Sequence, residues 1–295
     1  MTPQKKATLV SSSVAAILTL IKLVVGVASG SVAVLASAID SGLDMFVSIF
    51  NYFAISKSEK PADKTFNYGR GKIEALASVI EGSIICISGL FLLYQAIKKV
   101  IDGNTSQYLE ISLIVMIISI IITVSLVIYL NKIAKQTGSM VIKADALHYK
   151  TDVYTNAAVL ISLILVNFTG IELIDVIVGG GISLFIIYSA YELIQDGVLV
   201  LLDRSLDEDF IKKIVKIIEN EKNVNTHHLL KTREAGNQIF VEVHLVFDCL
   251  ITLMDAHKTS DKIEDEIKKL DSKKDWIINI HMDPYDDFEM DYNNN

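Results

Sequence analysis

Six apolar stretches, each long enough to cross a bilayer, fall within residues 1–203 of this 295-residue chain, near 8–29, 32–56, 73–97, 108–131, 140–168 and 172–196. A hydrocarbon core is crossed by about 20 helical residues. Within lipid the backbone must satisfy its own hydrogen bonds, which leaves helices or closed barrels, and runs of this length select helices. The chain is therefore expected to be an integral membrane α-helical protein with six transmembrane helices. The fifth stretch is the least purely apolar, because Lys143, Asp145 and Lys150 crowd its first turns.

Charge divides the chain. Residues 1–203 carry 14 Lys/Arg against 15 Asp/Glu, a net of −1, whereas 204–295 carry 13 against 20, a net of −7. The expected organisation is a transmembrane domain over 1–203, a small soluble domain over 204–284 and an acidic, disordered tail over 285–295. An acidic soluble part repels phosphate, so nucleic acid is not an expected partner. The two cysteines, Cys86 and Cys249, make neither a disulfide framework nor a cysteine-type zinc site. The first apolar run is too long for a cleavable signal peptide and reads as a true span. Basic residues set the orientation. Lys5 and Lys6 precede the first span, Lys57, Lys60, Lys64, Arg70 and Lys72 follow the second, and Lys132, Lys135 and Lys143 follow the fourth, with Lys98 and Lys99 alone on the other side. Both termini are expected in the cytoplasm.

Spans alone suit a receptor or a scaffold; the polar residues inside them do not. Asp40 with Asp44, and His148 with Asp152, each have the i,i+4 spacing that puts two side chains on one helix face. The members of each pair lie eight and twelve residues into their spans, a depth of roughly 12–18 Å at about 1.5 Å per residue. A charge near the bilayer centre costs at least roughly 2.5–3.5 kcal/mol, and no matching Lys or Arg is expected beside each pair. A divalent cation would neutralise both pairs, and three oxygens plus one nitrogen suit tetrahedral Zn²⁺. Fe²⁺, Co²⁺, Cd²⁺ and Mn²⁺ are compatible with the same ligand types. Glu74, Glu81, Glu172, Asp175, Glu192 and Asp196 lie in or near spans, and most of them fall near helix ends, where they read as solvated or snorkelling carboxylates. No HExxH or GxSxG motif occurs, and the chain is not expected to be an enzyme.

From Leu206 the pattern becomes that of a small α/β domain: an amphipathic helix at 207–221, strands at 226–233 and 238–247 about a Gly236-Asn237 turn, a helix near 255–270 and a strand at 276–283. Five of the six histidines fall here. His281 and Asp283 share one strand face, and His244 lies on the face opposite Val241 and Val243. By spacing alone these are surface histidines as readily as ligands.

Several separated motifs resemble the cation diffusion facilitator family, in particular its zinc/iron-type bacterial efflux members. They are Ser37-Ala-Ile-Asp40-Ser-Gly-Leu-Asp44, Pro61-Ala-Asp63, Gly69-Arg-Gly71-Lys72-Ile-Glu74 and Ala144-Asp145-Ala-Leu-His148-Tyr-Lys-Thr-Asp152. The resemblance implies a homodimer in the inner (plasma) membrane that exchanges a divalent metal for protons by alternating access, with Asp40, Asp44, His148 and Asp152 as transport ligands. It also implies a metallochaperone-like αββαβ cytoplasmic domain, in which Zn²⁺ acts as regulatory ligand at His228, His244, His257, His281 and Asp283. His227 is a second choice to His228. A charged contact between Lys72 and Asp203 is implied where the two domains meet. His rather than Asp at position 148 resembles zinc-selective members; a manganese- or iron-selective exporter and a non-transporting membrane sensor or scaffold are the alternatives. Relatives carry a further metal site in the loop after the second span, using Asp and two His. Here Phe66 and Arg70 stand in place of the histidines beside Asp63, so that site is expected to be absent.

Overall fold

The computed structural model describes residues 1–29, 32–102, 110–169 and 173–286. It separates into two compact units, Met1–Val198 and a second beginning at Leu199. The first holds six long helices: α1 (Pro3–Ser29), α2 (Val32–Ser58), α3 (Lys72–Asp102), α4 (Glu110–Thr137), α5 (Met140–Thr169) and α6 (Leu173–Leu201). Among the described residues, five of these contain a stretch long and apolar enough to cross a membrane: Pro3–Ala28, Ser37–Ser58, Lys72–Lys98, Met116–Thr137 and Val176–Leu201. The helix left out is α5, whose Lys143, Asp145, His148, Lys150 and Asp152 dilute its apolarity. Its polar side is turned inward. Asp145 and Tyr149 are buried, and Val141, Ile142 and Ala146 join a core with Ala7, Ala54, Ile55, Ala77, Leu126 and Leu130. Small residues let helix backbones approach closely in a membrane bundle. A methyl group added at Gly197 of α6 would sit 2.6 Å from Val79 Cγ2, and one added at Gly89 of α3 would sit 2.9 Å from Ile187 Cγ1.

Two expectations for carboxylates fail in the same way. Glu74 and Glu81 are buried rather than solvated. Glu74 accepts hydrogen bonds from Ser58 Oγ at 3.2 Å and Ser139 Oγ at 2.7 Å, while Glu81 Oε2 accepts from Asn51 Nδ2 at 3.0 Å. Hydroxyl and amide donors from α2 and from the link before α5 substitute for water, a compensation that cannot be read from one helix at a time. Asp196, by contrast, is only partly buried and is paired with Lys143 at 2.6 Å.

The second unit consists of α7 (Glu208–Glu219), β1 (Val224–Ala235), β2 (Gln238–Phe247), α8 (Leu253–Lys268) and β3 (Asp275–Asp283), an αββαβ order. β1 and β2 form an antiparallel hairpin whose turn uses Gly236 at φ 64°. β3 adds to β2 in parallel, giving the order β1-β2-β3, so the chain must cross over through α8. Thr252 Oγ1 caps α8 by accepting from the Asp255 amide at 3.1 Å. Val241, Val243 and Leu245 on one face of β2 pack with Ile214 and Ile218 of α7 and Ile263 and Ile267 of α8. Each such side chain, once fully buried, contributes about 1.5–3 kcal/mol. The apolar face is thereby used up, and the opposite face of the sheet is free for histidines. Most of the acidic tail, from residue 287 onward, lies outside the described residues.

Candidate metal centres

In the helical unit, α2 and α5 bring Asp44, His148 and Asp152 together, so that one ligand atom from each lies within 4.8 Å of the other two. His148 Nε2 is 2.9 Å from Asp44 Oδ1. All three side chains are partly buried. Asp40, one turn earlier on α2, lies outside that group and is exposed. Of the four residues expected as ligands, the structure brings three together and leaves Asp40 beside them. The same i,i+4 spacing brings both His148 and Asp152 to the cluster but only Asp44 of the α2 pair, so the spacing permits convergence on one point without ensuring it.

The expectation that no basic residue accompanies the pairs is also corrected. Lys22 of α1 is buried, with 8% exposure. Its Nζ donates to Ser41 Oγ at 2.7 Å and to the Ser37 carbonyl at 3.4 Å, and its charge acts on Asp44, Asp152 and Asp40. Its position in the first span was visible in the sequence, but its companions were not, because they come from other helices. Beneath the cluster lies a buried polar group. Asp145 accepts from Ser11 Oγ at 2.8 Å, Ser48 Oγ at 3.2 Å and Asn51 Nδ2 at 3.4 Å, and Tyr149 OH is 3.0 Å from Ser48 Oγ.

In the loop after α2, the Asp63 carboxylate is occupied by protein donors. The Thr65 and Phe66 amides each donate to Oδ1 at 2.9 Å, Arg70 Nη2 lies 2.5 Å from Oδ2, and the Arg70 guanidinium stacks 4.3 Å from the Phe66 ring centroid. The backbone donor at Phe66, then Arg70, then the amide of Thr65 hold the Asp63 carboxyl below its ordinary range. The residues replacing two imidazoles here make a clasp around the acid.

The second unit builds its cluster by register. His228 pairs with His244 across β1–β2, and His244 with His281 across β2–β3, which sets three imidazoles in one row. Ring centroids are 5.0 Å apart for His228–His244 and 4.5 Å for His244–His281. Asp283, 3% exposed, faces all three. Its Oδ2 lies 3.0 Å from His244 Nδ1 and 3.5 Å from His228 Nε2, and its Oδ1 lies 3.0 Å from His281 Nε2. Asp286, unforeseen in the sequence, sits 3.8 Å from His228 Nδ1. A bulge follows His228, with Leu229 at φ 50°. His227 is paired with core-facing Leu245, so alternation sends it to the other face from His228. His257 is not brought into this row. It is exposed on α8, 3.6 Å from Asp261. Asp203, at φ 58°, accepts from Arg233 Nη1 at 3.2 Å, and Lys72 opens α3 in the helical unit.

Comparison with known proteins follows the same division. The family model of the cation efflux transmembrane domain matches residues 8–202, and that of the cation efflux protein cytoplasmic domain matches 206–285. A cation-efflux pump FieF of Escherichia fergusonii is 33% identical over 279 residues, covering 95% of this chain and 92% of its own. The FieF pump of Pectobacterium atrosepticum is 33% identical over 274 residues, with coverage of 93% and 90%. The metal-bound C-terminal domain of the CzcD transporter from Thermotoga maritima is 25% identical and covers 27% of this chain and 94% of that domain, at a TM-score of 0.25.

Proposed function

We propose that this chain, which belongs to the cation efflux family, exports Zn²⁺ across the inner (plasma) membrane in exchange for protons, as a homodimer with both termini in the cytoplasm. Family membership makes it a multi-pass cation efflux transporter and not an enzyme. The observation that carries the finer reading is the Asp44–His148–Asp152 cluster, held by two helices within a helical membrane unit. One imidazole with carboxylates favours a borderline ion such as Zn²⁺ over Ca²⁺ or Mg²⁺, which take oxygen ligands. Asp40, one turn from Asp44, is the fourth ligand of the loaded site.

Proton coupling follows from ligand chemistry. Imidazole binds metal only when deprotonated, so cation entry displaces a proton and proton return expels the cation. The 2.9 Å His148–Asp44 contact is where that proton resides in the metal-free state. In the cytoplasmic unit His228, His244, His281 and Asp283 form a second site, at which bound Zn²⁺ acts as a regulatory ligand. The row of imidazoles around one carboxylate supports that assignment. Purified protein in proteoliposomes, challenged with Zn²⁺, Cd²⁺, Fe²⁺ and Mn²⁺ while internal pH is recorded, tests the reading. Zinc-driven proton movement in preference to manganese is expected. Metal binding without flux would make the chain a sensor.

A further inference from the structure

Two acids at the centre of the helical unit are used by nothing described so far. Glu81 is 1% exposed and Asp145 is fully buried. Among the described residues neither is paired with Lys or Arg. Two uncompensated carboxylates inside a bundle would carry a large desolvation penalty, so hydrogen-bond accounting must say which one is ionised.

Asp145 is supplied with donors. Ser11, Ser48 and Asn51, from α1 and α2, all point at its two oxygens. That is the environment of an anion. Glu81 has one donor, the Asn51 Nδ2 on its Oε2. Its Oε1 and the Asn51 Oδ1 are both buried with no hydrogen-bond partner. These orphans are the two remaining oxygens of a single Asn–Glu pair, and both are acceptors. A proton on Glu81 Oε1 would satisfy them together. The acid O–H would donate to the Asn51 carbonyl, while the Asn51 amide donates to Glu81 Oε2, forming a cyclic acid–amide pair. The second Asn51 N–H is the one already given to Asp145.

We infer that Glu81 is a proton-binding site separate from the metal ligands, loaded in the metal-free protein and emptied when a cation occupies the neighbouring cluster. Glu81 stands on α3, which contributes no ligand to that cluster. The groups acting on it electrostatically are Asp145 and His148 of α5. From α2 it meets neutral Asn51, and α6 faces the adjacent Gly82 with Leu193 and Ile194. A divalent cation brought to the cluster raises the positive charge near Glu81 and favours its ionised form. Each cation then displaces a proton from Glu81 in addition to any lost by its own ligands. The emptying half of the inference rests on the proposed antiport; the loaded state does not.

Infrared difference spectra of the full-length protein in lipid nanodiscs test both halves, using wild type and Glu81→Gln with Zn²⁺ as probe. Metal-free wild type is expected to show a protonated-carboxyl carbonyl band, shifted in deuterated water, that is missing from Glu81→Gln and weakens when Zn²⁺ is added. Glu81→Gln keeps the shape and the amide contact, and its retained Zn²⁺ binding would show that it folds. A pH indicator should then count one proton fewer per Zn²⁺ in the variant. Identical carboxyl bands in the two proteins would overturn the inference, including the case in which an ordered water rather than a proton serves the orphan atoms. A proton count unchanged by the substitution would overturn the release. Should proteoliposomes show no proton coupling while the Glu81 band still responds to Zn²⁺, the antiport reading fails and the Glu81 site stands.

Discussion

The two candidate metal clusters use similar ligands but are assembled by different rules. The cytoplasmic cluster is set by a sheet: residue 228 faces 244 and 244 faces 281, so backbone pairing alone places three imidazoles in a row around Asp283. The membrane cluster is set by two helices with one residue contact at 2.9 Å, between His148 and Asp44. Asp40 remains a turn away, and a buried lysine from a third helix stands near. A sheet site is fixed once its register is fixed. A helix site can be completed or opened by small shifts of one helix against another, which suits a site that must release its ion. The contrast fits the proposed division, with transport at the looser cluster and sensing at the more rigid one.

The contrast is broken most severely at the membrane ligands. Asp152→Ala or Asp44→Ala should reduce metal flux by more than about 100-fold, beyond the 10–100-fold typical of losing a residue that merely supports a ligand. Tracer uptake into vesicles would check this, and wild-type rates in either variant would remove the cluster from the pathway. In the cytoplasmic unit, His228→Ala or His244→Ala should leave maximal flux intact and raise the metal concentration for half-maximal flux by about tenfold or more. His257→Ala, at a residue outside the row, should shift it less. Equal shifts for His257 and His244 would show that the loaded site draws α8 inward. Lys22→Met should tighten metal binding to the resting membrane cluster by roughly 5–10-fold, the scale of one partly screened charge. Calorimetric titration in a variant lacking the cytoplasmic cluster would read that change directly.

The smallest effect is expected at Asp63. Its carboxyl lies below the ordinary value, so its hold on the loop is present at and above the usual carboxylate range and fades as pH falls through the lowered value. Arg70→Ala should move that fading upward, toward the ordinary Asp value of about 3.9. Carboxyl resonances followed against pH would show it. An unmoved midpoint would leave the backbone amide of Phe66, with that of Thr65, as the whole cause.

How much of this was legible in the sequence depended on whether a contact was periodic or recruited. The six helices and the αββαβ order came from apolar run length and alternation, and the His281/Asp283 face from the period of two. The choice between His227 and His228 required the β1–β2 register, which places His227 against Leu245. The i,i+4 spacing reported the shared face of Asp40 and Asp44 but not that Asp40 stands outside the Asp44–His148–Asp152 group in this structure. Lys22, Glu74, Glu81 and Asp145 were missed or misread for one reason. A polar residue in an apolar helix has its meaning fixed by donors and charges from elsewhere in the bundle, such as Ser11, Ser48 and Asn51 on other helices and Ser139 in the link before α5.

The most direct measurement is simultaneous zinc and proton flux in proteoliposomes containing wild type or Asp152→Ala, with the cytoplasmic histidines intact in both. Coupled, opposite fluxes in wild type that vanish in Asp152→Ala, while the variant still binds zinc through its cytoplasmic cluster, are the predicted result. Undiminished coupled flux in Asp152→Ala would contradict the account, because the ion would then cross the membrane by a route that does not use the α2–α5 cluster.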